Sequence, residues 1–133
     1  MNRRDFAILA ASAALALTVG GCARTAPILN LDAVPVTTAS GHALSAAQVR
    51  SAIIAAGTSL GWRITEASPG KLEGTLNLRE HSAVVDIPYS AKSYSILYKR
   101  SDKLNEANGT IHSNYNGWVT NLDRAIRTEL ARL

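Results

Sequence analysis

The stretch KLEGTLNLREHSAVVDIPY, residues 71–89, alternates apolar and polar side chains. Leu72 and Leu76 fall on one face of its first half, and Val85 and Ile87 fall on one face of its second half. Alternation with a period of two residues is typical of β-strands that bury one face. The stretch therefore predicts two antiparallel strands joined by a tight turn.

The same period extends over residues 62–100 and predicts four strands in an antiparallel meander. Before and after these residues, apolar side chains recur at helical spacing instead. Before the strands, Ser45 and Gln48 match a capping box at the start of a helix. Gly57 weakens the interior of that helix, so we expect it to pack closely against a neighbour. After the strands, apolar residues recur at helical spacing through residues 115–133.

The predicted fold is α+β with the order α-β-β-β-β-α, a four-stranded antiparallel meander sheet with two helices on one face. A chain of 133 residues has room for one such domain. We predict a signal peptide at residues 1–21, a lipidated cysteine with a flexible tether at 22–43, and a single domain at 44–133. The tether prediction rests on Pro27, Pro35 and the lack of a sustained period, and a short strand at residues 34–38 is the weakly signalled alternative within it.

The first residues are organised like an export signal. Arg3 and Arg4 precede an uncharged run at 6–19 that is rich in Ala and Leu. This run is shorter than the ~20 residues that a membrane-spanning helix needs. It ends in Val19-Gly20-Gly21-Cys22, which resembles a lipobox, the motif whose cysteine receives diacylglycerol before the leader is cut. Cys22 is the single cysteine, so the chain cannot close an internal disulfide.

The resemblance implies that Cys22 holds the mature protein on a membrane. There are two alternatives. One is a soluble secreted protein with an unpaired cysteine near its N-terminus, and the other is a protein whose leader stays uncut as an anchor. Ala23 replaces the Asp that retains such proteins at the inner membrane, which favours the periplasmic face of the outer membrane. The Arg pair with Phe6 partly resembles a twin-arginine signal, and an ordinary basic region for the general secretory route is the alternative. Cleavage removes two arginines and one aspartate, which lowers the formal net charge from +4 to +3.

Two longer phrases resemble a known family. They are LREHSAVVDIPYS at residues 78–90 and IHSNYNGWVTNL at residues 111–122. Both are similar to phrases of a family of small, uncharacterised proteobacterial lipoproteins, and the resemblance covers roughly residues 45–133. It implies a periplasmic, membrane-anchored domain and implies no reaction.

Catalytic or metal chemistry has few candidate residues. Outside the predicted tether the histidines are His81 and His112, whereas a metal site needs three or four converging ligands. Ser82 and Asp86 lie near His81 in sequence, but adjacent residues of a strand point to opposite faces. Phosphate-loop and dinucleotide motifs are absent from the sequence. We predict no cofactor, no metal and no nucleic-acid partner, with a small periplasmic hydrolase or other enzyme using His81 or His112 as the alternative.

A set of polar and aromatic residues near the strand ends and the last loop forms the candidate binding surface: Arg79, His81, Tyr98, His112, Asn114, Tyr115 and Trp118. Such side chains either fill a core with their polar tips at its rim or present a binding surface. A basic cluster either meets an anionic envelope polymer or keeps an edge strand from pairing. Its members are Lys92, Lys99, Arg100 and Lys103. The predicted function is a membrane-anchored binding or scaffolding module for an envelope protein or polymer.

Overall fold

The computed structural model describes residues 24–133 as an α+β fold with two helices, a five-stranded antiparallel sheet and a two-stranded sheet. The predicted signal peptide and Cys22 lie outside the described residues. The strands are β1 (Thr25–Pro27), β2 (Leu31–Pro35), β3 (Arg63–Ser68), β4 (Lys71–Leu78), β5 (His81–Pro88), β6 (Ser93–Asp102) and β7 (Thr110–His112). The helices are α1 (Ala46–Ser59) and α2 (Ser113–Ala131).

Strands β3 to β6 are consecutive antiparallel neighbours, as the sequence predicted. The hairpin expected from residues 71–89 is confirmed, with Lys71 opposite Pro88 and Leu78 opposite His81. The prediction of a four-stranded sheet was wrong, because β2 pairs with the outer side of β6 and adds a fifth strand.

The prediction of a flexible tether at residues 22–43 was also wrong over much of residues 24–43, the part that the structure describes. β1 pairs with β7, and β2 pairs with β6. The register of β2 shifts between Leu31 and Val34, and Ala33 there has a positive φ of 49°. A bulge of this kind interrupts the two-residue period by which a strand is recognised in sequence. Pairing with distant strands orders this segment.

One face of the sheet and both helices share a single core. Leu72, Val85 and Ile87 of the sheet are fully buried, in agreement with the alternation of residues 71–89. Helical spacing that extends to Leu133 predicts a buried position there, but the Leu133 side chain is 44% exposed, and that of Leu60 is 42% exposed. Leu60 directly follows the last residue of α1, and Leu133 lies two residues beyond the last residue of α2. The helices bury Val49, Ala52, Ile53, Ala56 and Gly57 from α1 and Tyr115, Val119, Leu122, Ile126 and Leu130 from α2.

The predicted capping box of α1 is confirmed. The backbone N–H of Gln48 donates to Ser45 Oγ at 3.1 Å, and the N–H of Ser45 donates to Gln48 Oε1 at 2.9 Å. The N-cap of α2 is His112, whose Nδ1 accepts the N–H of Asn114 at 3.1 Å.

Tyr94 joins the sheet to α2 inside the core. Its hydroxyl donates to Asp123 Oδ1 at 2.5 Å, while Asp123 Oδ2 accepts from Arg127 Nε at 2.9 Å. Burial and the bond to the Asp123 carboxylate raise the pKa of Tyr94, so the phenol stays protonated and able to donate. Hydrogen bonds to charged groups contribute about 1.5–3 kcal/mol each.

Gly57 lies where α1 crosses β3. A Cβ at this position would stand 2.7 Å from both Cδ1 and Cγ1 of Ile64. The close packing expected from the sequence is therefore confirmed. Gly117 in α2 has open space around it, so the same added methyl group would meet nothing there.

We expect Gly57→Ala to lower the free energy of unfolding and Gly117→Ala to raise it. Overpacking costs about 1–3 kcal/mol, which outweighs the helix-propensity gain of about 1 kcal/mol at Gly57. Gly117→Ala receives that gain without the overpacking. Denaturant unfolding of the protein measures both effects, and the penalty at Gly57 should shrink when Ile64→Ala removes the contacted atoms. Equal stability of Gly57→Ala and wild type would contradict this account.

Candidate functional site

One end of the sheet brings together most of the predicted binding residues. We call it the β4–β5 end and define it by Arg24, residues 78–81, residues 103–104 and residues 112–118. The N–H of Ser113 donates to the Arg24 carbonyl at 2.6 Å, and the N–H of His112 donates to the Leu104 carbonyl at 2.8 Å. These bonds fix the first described residue against the start of α2.

The remaining contacts connect this end to the β4–β5 turn. His81 Nδ1 lies 2.9 Å from the Lys103 carbonyl, and His81 pairs with Leu78 across the turn. Leu78 and Trp118 line the same shallow cleft of about 100 Å³, together with Leu60, Trp62, Leu76 and Asn121. The β4–β5 end is therefore continuous from Arg24 through the turn to α2.

The two histidines hold opposite tautomers. A carbonyl oxygen only accepts, so His81 Nδ1 carries the proton that it donates to Lys103. His112 Nδ1 accepts from Asn114, so a neutral His112 carries its proton on Nε2. Both Nδ1 atoms form hydrogen bonds with backbone groups, so each ring has a structural role. In neither contact does the imidazole bond a nucleophilic side chain, as a general base would.

Tyr115 belongs to the core, although it was predicted as part of the binding surface. Its side chain is fully buried, and its ring meets that of Tyr98 edge to face, with centroids 5.5 Å apart. The Tyr115 hydroxyl has no hydrogen-bond partner within residues 24–133, and burial raises its pKa. Tyr98 is half-buried, and its hydroxyl lies 2.9 Å from Ser101 Oγ. Tyr115 is therefore too deeply buried to contact a binding partner directly.

The other predicted residues reach the surface to different extents. Arg79, His81 and Asn114 are exposed, whereas His112 and Trp118 are half-buried. Arg79 occupies the β4–β5 turn with a φ of 56°, in the left-handed region that a two-residue hairpin turn requires. The exposed members therefore stand on a hairpin turn and on the first turn of a helix.

Asn116 positions the N-terminal segment, a role that sequence reasoning missed. Its side-chain Nδ2 donates to the Pro27 carbonyl at 2.9 Å, and its Oδ1 accepts the N–H of Leu29 at 2.9 Å. The two residues that it joins are more than eighty positions away in sequence. No local pattern signals such a contact.

The basic cluster is largely paired with acids. Lys99 Nζ lies 2.6 Å from Glu73 Oε2, and Arg100 and Lys103 each lie 3.8 Å from a carboxylate, of Glu73 and Glu80 respectively. The bond from Lys99 lowers the pKa of Glu73. β2 pairs with β6 only from Ser93 to Ile96, so Lys99 and Arg100 lie in the half of β6 beyond that pairing and the edge-protection alternative stays open.

Within residues 24–133, the His, Asp and Glu side chains form no group of three or more that could hold a metal ion. Over the same residues, neither helix has the length and apolar character needed to cross a membrane.

We expect Tyr94→Phe and Tyr115→Phe to have different effects on stability. Tyr94→Phe leaves Asp123 without its buried donor and should lower the free energy of unfolding by about 1.5–3 kcal/mol. Tyr115→Phe removes a buried hydroxyl without a partner in the described chain, so stability should stay equal or rise. Denaturant unfolding of the two variants compares the same chemical change at two buried sites. A similar loss in both would show that Tyr115 has a hydrogen-bond partner.

Glu73 should make stability depend on acid pH. Its folded pKa is lowered from the ordinary value of 4.5, so the unfolded chain binds its proton more readily. The stabilisation is present above about pH 4.5 and is lost as the pH falls through the folded pKa. Thermal unfolding from neutral to acid pH should show a smaller decline for Glu73→Gln than for wild type. Glu66→Gln, which changes an exposed carboxylate 3.4 Å from Arg50, is the matched control, and equal declines in all three proteins would count against the role of Glu73.

Comparison of the chain with protein-family models, with curated proteins and with solved structures finds no match. The geometry of the β4–β5 end and the sequence of the leader are therefore the grounds for a functional proposal.

Proposed function

We propose that the chain is the precursor of a small envelope lipoprotein that is cut before Cys22 and acylated on that cysteine. The observation that carries the proposal is the order of the first 22 residues: two arginines, an uncharged apolar run, and Val19-Gly20-Gly21-Cys22. The single cysteine of the chain stands where the lipid would be attached.

Acylation would give a durable anchor. Each buried methylene contributes about 0.8 kcal/mol, and two or more acyl chains hold a protein stably where one chain exchanges. Ala23 after the cysteine favours sorting to the periplasmic face of the outer membrane. Export through either the general secretory or the twin-arginine route is compatible with Arg3, Arg4 and Phe6.

The folded domain is proposed to be a non-enzymatic binding or scaffolding module. His81 and His112 use Nδ1 to bond backbone groups, which supports a structural role more than general-base catalysis. Arg79, His81 and Asn114 stand exposed on the β4–β5 end and offer polar contacts to an envelope component. Pairing of Lys99, Arg100 and Lys103 with carboxylates weakens the case for a strong polyanion site and for a nucleic-acid partner.

Cys22→Ser tests the anchor. We expect the wild-type protein to show an acylated N-terminal cysteine by mass spectrometry and to sediment with membranes, whereas Cys22→Ser stays unmodified and uncut and takes up no labelled fatty acid. Ala23→Asp is the matched control, because it keeps the cysteine and should move the lipoprotein toward the inner membrane on a density gradient. An unmodified Cys22 in the wild-type protein would overturn the proposal.

A further inference from the structure

The β4–β5 end stands next to the proposed anchor. The Arg24 carbonyl accepts the N–H of Ser113 at 2.6 Å, and Thr25 pairs with His112. Only Ala23 separates Cys22 from Arg24. Because a chain extends at most about 3.3–3.6 Å per residue, a connection of two residues can span no more than about 7 Å from Arg24. The attachment point of the lipid is thus confined to the neighbourhood of this end.

The side chains exposed at this end suit the boundary between headgroups and acyl chains. Leu78 and Leu60 are each 42% exposed, and they line one cleft with the half-buried Trp118. Tryptophan, with an apolar ring system and one N–H donor, is favoured at membrane surfaces. An apolar patch next to a lipid-bearing residue would be covered once the acyl chains insert.

The charged residues that belong to this end are the cations Arg24, Arg79 and Lys103 and the acid Glu80. Glu80 lies 3.8 Å from Lys103. The excess of cations suits a bilayer that contains anionic lipid. Apolar contact and the anchor would add to this attraction in holding this end on a bilayer.

The opposite end of the sheet, which we call the β5–β6 end, lies far from the anchor. β5 has 8 residues, which at about 3.3 Å each separate its two turns by roughly 26 Å. α2 has 19 residues, about 28 Å at 1.5 Å each, and two residues beyond its end the Leu133 carbonyl accepts from Ser40 Oγ at 3.2 Å. The N–H of Val36 in turn donates to the Lys92 carbonyl at 2.8 Å. Leu133 and Lys92 therefore belong to the end far from Arg24.

We infer that the β4–β5 end docks directly on the bilayer that holds Cys22, with Leu78, Leu60 and Trp118 at the level of the lipid headgroups and the β5–β6 end directed away from it. This inference rests on the proposed acylation of Cys22. In this arrangement the exposed residues of the β4–β5 end contact the membrane surface. The domain then stands upright on the membrane without a spacer.

Two labelled variants test the orientation. The lipidated protein is purified into vesicles of phosphatidylethanolamine and phosphatidylglycerol that contain a nitroxide-headgroup lipid. Glu80→Cys places one fluorophore in the β4–β5 turn, and Lys92→Cys places the other in the β5–β6 turn; Cys22 is the only native cysteine, so each new thiol is the only free one when Cys22 is acylated. We expect the nitroxide lipid to quench the label at residue 80 several-fold more than the label at residue 92.

Leu78→Glu and Leu133→Glu form a matched pair, because the two leucines are 42% and 44% exposed. Leu78→Glu should reduce the quenching at residue 80, since it puts a charge into the docking patch. Leu133→Glu should leave the quenching unchanged. Thermal unfolding of both variants establishes that they fold like wild type, and an equal effect of the two substitutions would overturn the docking patch.

The mass of the N-terminal residue, measured on the same preparations, separates the two proposals. An acylated Cys22 with equal quenching at residues 80 and 92, or with stronger quenching at residue 92, would overturn the docking inference and leave the lipoprotein proposal standing. The same is true if quenching at residue 80 appears only after an envelope protein is added. A Cys22 without lipid would overturn both proposals.

Discussion

The rest of the structure depends on the backbone pairing of β6. This strand has ten residues, and it lies inside the sheet with β5 on one side and β2 on the other. Buried backbone N–H and C=O groups without partners would cost free energy comparable to the lost hydrogen bonds. β2 supplies partners on the outer side of β6 between Ser93 and Ile96, and beyond them Asn30 Oδ1 accepts the N–H of Tyr98 at 2.8 Å. These bonds draw the N-terminal segment into the domain. A segment that composition alone assigns to a tether thereby becomes an edge strand.

Side chains reinforce the same arrangement from both faces. Ser95 of β6 donates through Oγ to Asp32 at 2.8 Å and accepts the N–H of Ala33 at 3.0 Å, which holds the bulge of β2 in place. On the other face, Tyr94 donates to Asp123 and ties β6 to α2. Neighbouring residues of β6 thus bond the edge strand β2 and the C-terminal helix.

The ordered N-terminal segment also changes the meaning of the proposed anchor. A flexible tether of about twenty residues would let a domain range up to ~70 Å from the membrane. With Arg24 bonded to Ser113 and Asn116 holding Pro27 and Leu29, that freedom is absent from residue 24 onward. An acylated Cys22 would then determine the orientation of the domain on the membrane as well as its location, because the attachment point and the folded surface are almost adjacent.

Local sequence determined the helices, their faces and the hairpin of residues 71–89. Period and capping are properties of neighbouring residues, so Ser45 with Gln48, and Leu72 with Ile87, could be assigned without the fold. Gly57 could likewise be recognised as a close contact, although not its partner Ile64. The fold places most of the predicted binding residues at one end of the sheet. Tyr115 is instead buried in the core, where its ring packs against Tyr98.

Only the tertiary structure decided the places of β1 and β2. Each depends on a hydrogen-bond partner far away in the chain: β6 for β2 and β7 for β1. Short strands with a bulge and two prolines have too little local preference to be recognised, and long-range pairing supplies the free energy that orders them. The sequence by itself determined the elements whose stability is local, and the tertiary structure decided those whose backbone partners lie elsewhere.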